Sequence, residues 1–96
     1  MARADIKYLF NALAFRAGLT PESLLGLTGG QVSAQRLQLL SDIVDDLEGS
    51  YNKQGISQWF DRKRVQLSDR SPREILGNPW QPEEEAPQRV LRLARS

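Results

Sequence analysis

The sequence predicts an all-α protein, a small single-domain helical bundle of about five helices with a degenerate helix-turn-helix-like N-terminal part. Three observations predict this. Apolar residues recur at helical spacing in several stretches, and no stretch sustains the alternation of a strand. Capping residues and glycines stand where those periodic runs begin and end. The chain has 96 residues, 40% hydrophobic and 26% charged, enough for one domain with a modest core.

The first element is residues 4 to 17, ADIKYLFNALAFRA, where Ile6, Leu9, Phe10, Leu13 and Ala17 form a helical stripe that ends at Gly18. In LTPESLLGL, Thr20 suits an N-cap and Pro21 a first helical position, with Leu24, Leu25 and Leu27 as the buried side. Thr28-Gly29-Gly30 ends that helix, because paired glycines favour a turn. The next run, SAQRLQLLSDIVDDLEG, is the clearest helix: Ser33 caps it, Gly49 ends it, and Leu37, Leu40, Ile43, Val44 and Leu47 form its apolar face. Its far end carries Asp42, Asp45, Asp46 and Glu48, a solvated acidic face or a dock for a basic partner patch.

SYNKQG reads as a polar linker. ISQWFDRKRVQL then reads as a helical turn or two passing into an extended segment near Val65 to Leu67. In RSPREIL, Ser71 is an N-cap and Pro72 takes the first helical position, where its missing N–H is not needed. Glu74 reaches back to the cap's amide in a capping box, and Leu76 supplies apolar surface. After GNPWQPEEEAP, Pro87 opens a last helix, QRVLRLARS, that runs to Ser96.

Composition narrows the chemistry. The chain has no Cys and no His, which excludes disulfides, thiolate nucleophiles, the usual zinc ligands and imidazole acid–base catalysis. No catalytic residue and no cofactor is expected. Glu83, Glu84 and Glu85 on a flexible segment do not converge as a cation cage, so no metal site is expected either. No apolar run is long enough to span a bilayer and no signal-peptide core opens the chain, so the expected location is cytoplasmic. The net charge of +1, from 13 Lys+Arg against 12 Asp+Glu, gives little counterion release on DNA.

Three surfaces remain as candidates. Arg62, Lys63, Arg64, Arg70 and Arg73 give residues 56 to 73 a local charge of +3, suited to phosphate or to an acidic protein surface, with Trp59 and Phe60 beside it as a stacking or adaptor patch. Residues 20 to 40 have the outline of a helix-turn-helix, with Gln35 and Arg36 able to read base edges, but the turn is long and no basic cluster supports it. Arg89, Arg92 and Arg95 form a slow cationic spiral on the last helix, opposite Val90, Leu91 and Leu93. A rigid cationic chain end of this kind suits an anionic cleft.

In their order and spacing, QRLQLLSDIVDDLEG, QWF, RSPREIL and QRVLRLARS resemble the toxin-binding domain of the Xre/MbcA/ParS family of antitoxins. The resemblance covers residues 35 to 96, leaving residues 1 to 34 as the degenerate N-terminal region. It implies a non-enzymatic antitoxin of a type II toxin–antitoxin system. Such a protein blocks the active-site cleft of a cognate RES-domain, NAD-degrading toxin as a homodimer or higher assembly. Toxin contacts would then fall on Trp80, Arg89, Arg92, Leu93, Arg95 and Ser96, while Trp59, Ser71, Pro72, Glu74 and Leu76 form the structural motif. The chain departs from the family at Gly29-Gly30, where a recognition helix is expected, and in its longer, Pro-rich connection before the last helix. DNA binding is therefore expected only weakly or within the toxin complex. The alternative is a small DNA-binding transcriptional regulator acting through residues 20 to 40.

Overall fold

Five of the six α-helices among the described residues start where a side chain satisfies a free backbone amide, and only the last has no such cap. A computed structural model describes residues 5–96. Its order is α1 (Ile6–Ala17), α2 (Pro21–Leu25), α3 (Ala34–Glu48), α4 (Lys53–Trp59), a 3₁₀ turn (Val65–Leu67), α5 (Pro72–Leu76) and α6 (Glu85–Arg95). Asp5, Thr20, Ser33, Asn52 and Ser71 each accept from an amide of the first turn that follows them. No strand occurs among the described residues, only an isolated antiparallel bridge between Arg64 and Arg70. The all-α expectation holds. Ala4, with which the first predicted helix begins, lies outside the described residues.

Three boundaries differ from the sequence reading. The expected linker at residues 50 to 55 is half helix, because the Asn52 side chain accepts from the Gly55 amide at 2.8 Å. The segment expected to be extended near Val65 to Leu67 is a 3₁₀ turn, closed by backbone bonds from Leu67 and Asp69 to the Arg64 carbonyl at 3.0 and 2.9 Å. The last helix begins at Glu85, so Pro87 stands within its first turn, where a proline still removes no helical hydrogen bond.

α3 is the centre of the bundle, with α1 and α4 against it on one side and α6 on the other. Packing on two sides explains why Leu39 is buried along with the expected Leu37, Leu40, Ile43, Val44 and Leu47. α1 is covered only over its C-terminal half, at Leu13, Ala14 and Ala17, while Ile6 and Leu9 of the predicted stripe are exposed. Gly18 ends α1 at φ 67°, and a Cβ there would lie 2.9 Å from the Lys53 carbonyl oxygen, so only glycine lets α4 approach. Leu24 of α2 and Leu27 in the turn after it are buried as expected, but Leu25 is 45% exposed, since so short a helix has one inward side.

Trp59 and Phe60 are both buried and meet edge to face, with centroids 5.3 Å apart at 89°. They are adjacent in sequence, yet helix directions about 100° apart let each fill a different part of one core. Neither ring is available as a stacking or adaptor patch. The Cα radius of gyration is 12.5 Å, the value expected for one compact body of this length.

The capping box at α5 is complete. Ser71 Oγ accepts from the Glu74 amide at 3.1 Å, and the Ser71 amide donates to Glu74 Oε1 at 2.8 Å. Ser71→Ala is expected to lower unfolding free energy by about 1 kcal/mol, read as a shift in urea midpoint at constant slope. A midpoint equal to the parent's would show that Glu74 and the backbone hold the turn without the hydroxyl.

Candidate functional site

The last helix carries most of the expected contact residues. α6 lies on α3 through Val90 and Leu91, which are buried, with Leu93 half-buried. Arg89, Arg92, Arg95 and Ser96 are exposed on its outer sides. The arginines are not free, however. Arg89 and Arg92 share Glu85, at 3.4 and 2.7 Å, and Arg95 donates to Asp46 at 2.9 Å. Glu85, from the acidic run in which no cation cage is expected, thus pairs with the arginine spiral. Exposed pairs of this sort contribute at most about 1 kcal/mol and exchange partners readily.

Trp80 corrects an expectation. It is 3% exposed, and its indole Nε1–H donates to the Leu27 and Leu76 carbonyls at 3.3 and 3.1 Å. The Arg36 guanidinium carbon stands 5.6 Å from its ring centroid. The ring joins α2, α5 and α3, and so belongs to the protein's own core. Among the expected motif residues, Pro72 and Leu76 are buried beside it in α5, and Trp59 at the end of α4.

Arg36, the residue best suited to reading a base, is buried as well. Its Nη1 donates to the carbonyls of Thr28 and Gln31 at 3.1 and 2.9 Å. That bond set closes the long glycine turn before α3 and takes the guanidinium out of contact with solvent. Of the two candidate base readers, only Gln35 stays exposed at the start of α3.

The acidic end of α3 is likewise occupied from within. Arg16 of α1 pairs with Asp45, and with Glu48 at 3.0 Å, and also donates to Ser41 Oγ at 3.3 Å. The bond to Glu48 holds the Arg16 pKa above its ordinary value against the opposing effect of burial. With Arg95 on Asp46, cations of α1 and α6 offset part of the charge of an acidic terminus that the helix dipole disfavours, while Asp42 accepts only from Gln38.

Arg73, grouped by sequence with the basic cluster, is a clamp. Its Nε donates to Asp61 at 2.6 Å, and its Nη atoms donate to the Ser23 carbonyl and hydroxyl at 3.0 and 2.6 Å. It ties α5 to α2 and to the end of α4. Nothing in the local sequence links residues fifty apart, so this role was not legible there.

Two carboxylates sit below their ordinary range. Backbone hydrogen bonding at Ser71 does this for Glu74, and the Arg92 hydrogen bond for Glu85. A folded pKa below the unfolded one makes each carboxylate stabilising above the unfolded value of 4.5, and that contribution is lost as pH falls through the folded pKa. The melting temperature is therefore expected to drop below pH about 4.5, and to drop less steeply in Glu74→Gln and Glu85→Gln. Parallel slopes for parent and variants would remove both groups from the account.

No group of three or more acidic, His or Cys side chains among the described residues is placed to hold a metal ion. No helix among them is long and apolar enough to cross a membrane. Comparisons with protein-family models, curated proteins and solved structures find no match.

Proposed function

We propose that this chain is an antitoxin, a proteinaceous inhibitor that covers the active-site cleft of a RES-domain, NAD-degrading toxin in the cytoplasm and has no catalysis of its own. The observation that carries the reading is α6. It is anchored on α3 by Val90 and Leu91 while Arg89, Arg92 and Arg95 stand outward, neutralised only by exposed carboxylates. A cleft that handles a dinucleotide can exchange those weak pairs for its own anionic groups. The ordered motifs between residues 35 and 96 support the same reading, and a homodimer or larger toxin–antitoxin assembly goes with it. Trp80 drops out of the contact set, leaving Arg89, Arg92, Leu93, Arg95 and Ser96.

Two tests decide it. Co-expression with the RES-domain toxin encoded beside this chain should restore growth, and absence of such a gene or of rescue would sink the proposal. Arg92→Glu and Arg95→Glu should then melt within about 1 kcal/mol of the parent, because each breaks only an exposed pair. Their inhibition of the toxin should weaken by about 2–5 kcal/mol if each arginine is buried against a charge at the interface. Inhibition constants within twofold of the parent's would acquit the helix.

A further inference from the structure

Most arginines of the described chain find an acceptor inside it: Arg16, Arg36, Arg73, Arg89, Arg92 and Arg95. Arg62, Arg64 and Arg70 make no side-chain hydrogen bond and no ion pair among the described residues, and neither does Lys63. All four lie in the loop between α4 and α5. Arg64 lies over the Trp59 ring, its guanidinium carbon 4.8 Å from the centroid. Its Nε and Nη2 are the only buried side-chain nitrogen or oxygen atoms without a partner among the described residues. These two donors form one edge of the guanidinium fork and are closed off from solvent, so Arg64 is held on the Trp59 ring while Arg62, Lys63 and Arg70 are the exposed cations of the loop. A buried donor left unmade is unfavourable, and no described residue supplies an acceptor for it.

Two further features share this surface. Val65, at the start of the 3₁₀ turn, is 82% exposed, an apolar side chain set among four cations. The backbone bridge from the Arg64 amide to the Arg70 carbonyl, 3.0 Å, keeps the loop tight, so the cations and Val65 are presented on a fixed frame. A shallow cleft joins this loop to α6, lined by Leu67, Arg70 and Pro79 on one side and by Glu84, Ala86 and Arg89 on the other. The cationic loop and the outer face of α6 are therefore continuous.

We propose that the loop from Arg62 to Arg70 is a second docking surface, taking an acidic region of a protein partner that carries an apolar seat for Val65. This rests on the antitoxin reading, on which the partner is the toxin and the loop extends the contact begun by α6. An exposed aliphatic side chain at the centre of a charged rim favours a protein over a nucleic-acid backbone, which offers phosphate but no apolar seat.

The test is calorimetric titration of the purified full chain with the purified toxin, for the parent, for Val65→Ser, and for Arg62→Gln, Lys63→Gln and Arg70→Gln combined. None of these side chains is held by the fold, so circular dichroism and melting temperature should match the parent. Each variant should bind at least about tenfold more weakly, and affinity of the combined variant should depend less steeply on salt than the parent's. Affinity within twofold of the parent's in both variants overturns the proposal while leaving the antitoxin reading intact. If the parent itself does not bind toxin, the antitoxin reading fails and this proposal with it. Displacement of toxin from the parent by a short random-sequence DNA duplex at physiological salt, abolished in the combined variant, would also overturn it by making the loop a phosphate surface.

Discussion

Trp80→Ala is expected to lower unfolding free energy by about 3–5 kcal/mol, the usual loss for removing a buried Trp or Phe side chain. Such a loss is a large part of the roughly 5–15 kcal/mol that holds a typical domain together. The ring is almost fully buried, its N–H is bonded to Leu27 and Leu76, and Arg36 stacks on its face. Truncation therefore removes packing from three helices at once and uncovers a buried guanidinium. Trp80→Phe separates the contributions: most of the ring area stays, while both carbonyls lose their donor, at a cost of about 1–3 kcal/mol. Urea unfolding followed by circular dichroism measures both. If Trp80→Ala unfolded at the parent's midpoint yet no longer bound toxin, the indole would be a surface contact and its placement in the core would be wrong.

Gly29→Ala should be comparably severe despite adding a single carbon. Gly29 has φ 69°, and a Cβ there would sit 2.7 Å from the Asn78 carbonyl oxygen, 3.0 Å from Trp80 Cδ1 and 3.1 Å from Pro79 Cα. Backbone strain of about 1–3 kcal/mol is joined by overpacking of about 1–3 kcal/mol, because the carbonyl and the proline cannot rotate aside. Gly30→Ala is the control. Its φ is 88°, yet nothing lies within 4 Å of the added carbon, so it carries the strain without the collision. The difference between the two midpoints measures how tightly the turn after α2 is pressed onto residues 78 to 80. Equal losses would show that contact to be slack. In the double variant Gly29→Ala with Trp80→Ala, the effects should fall short of additive, since the second change makes room for the first.

The helical class, the caps at Thr20, Ser33 and Ser71, the stop at Gly18 and the stripe of α3 were determined by the sequence alone. These are local matters. A hydroxyl bonds an amide three residues on, a glycine adopts φ 67° within its own turn, and periodicity repeats every few residues. Asn52 belonged to the same class and its signal was present, but the polar stretch around it masked a helix start. Only the tertiary structure decided which apolar and charged residues face inward. Ile6 and Leu9 carry the same pattern as Leu13 and Ala17, and differ only in what other helices cover. Arg36, Arg16, Arg73 and Arg95 look alike in sequence to Arg62 and Arg70. Their acceptors, at Thr28, Asp45, Ser23 and Asp46, include groups 29 to 50 positions away. Pairing across such distances follows from how helices pack, which no local pattern encodes. For the same reason the cations left over after packing, in the loop after α4, became visible only once all the others had found their partners.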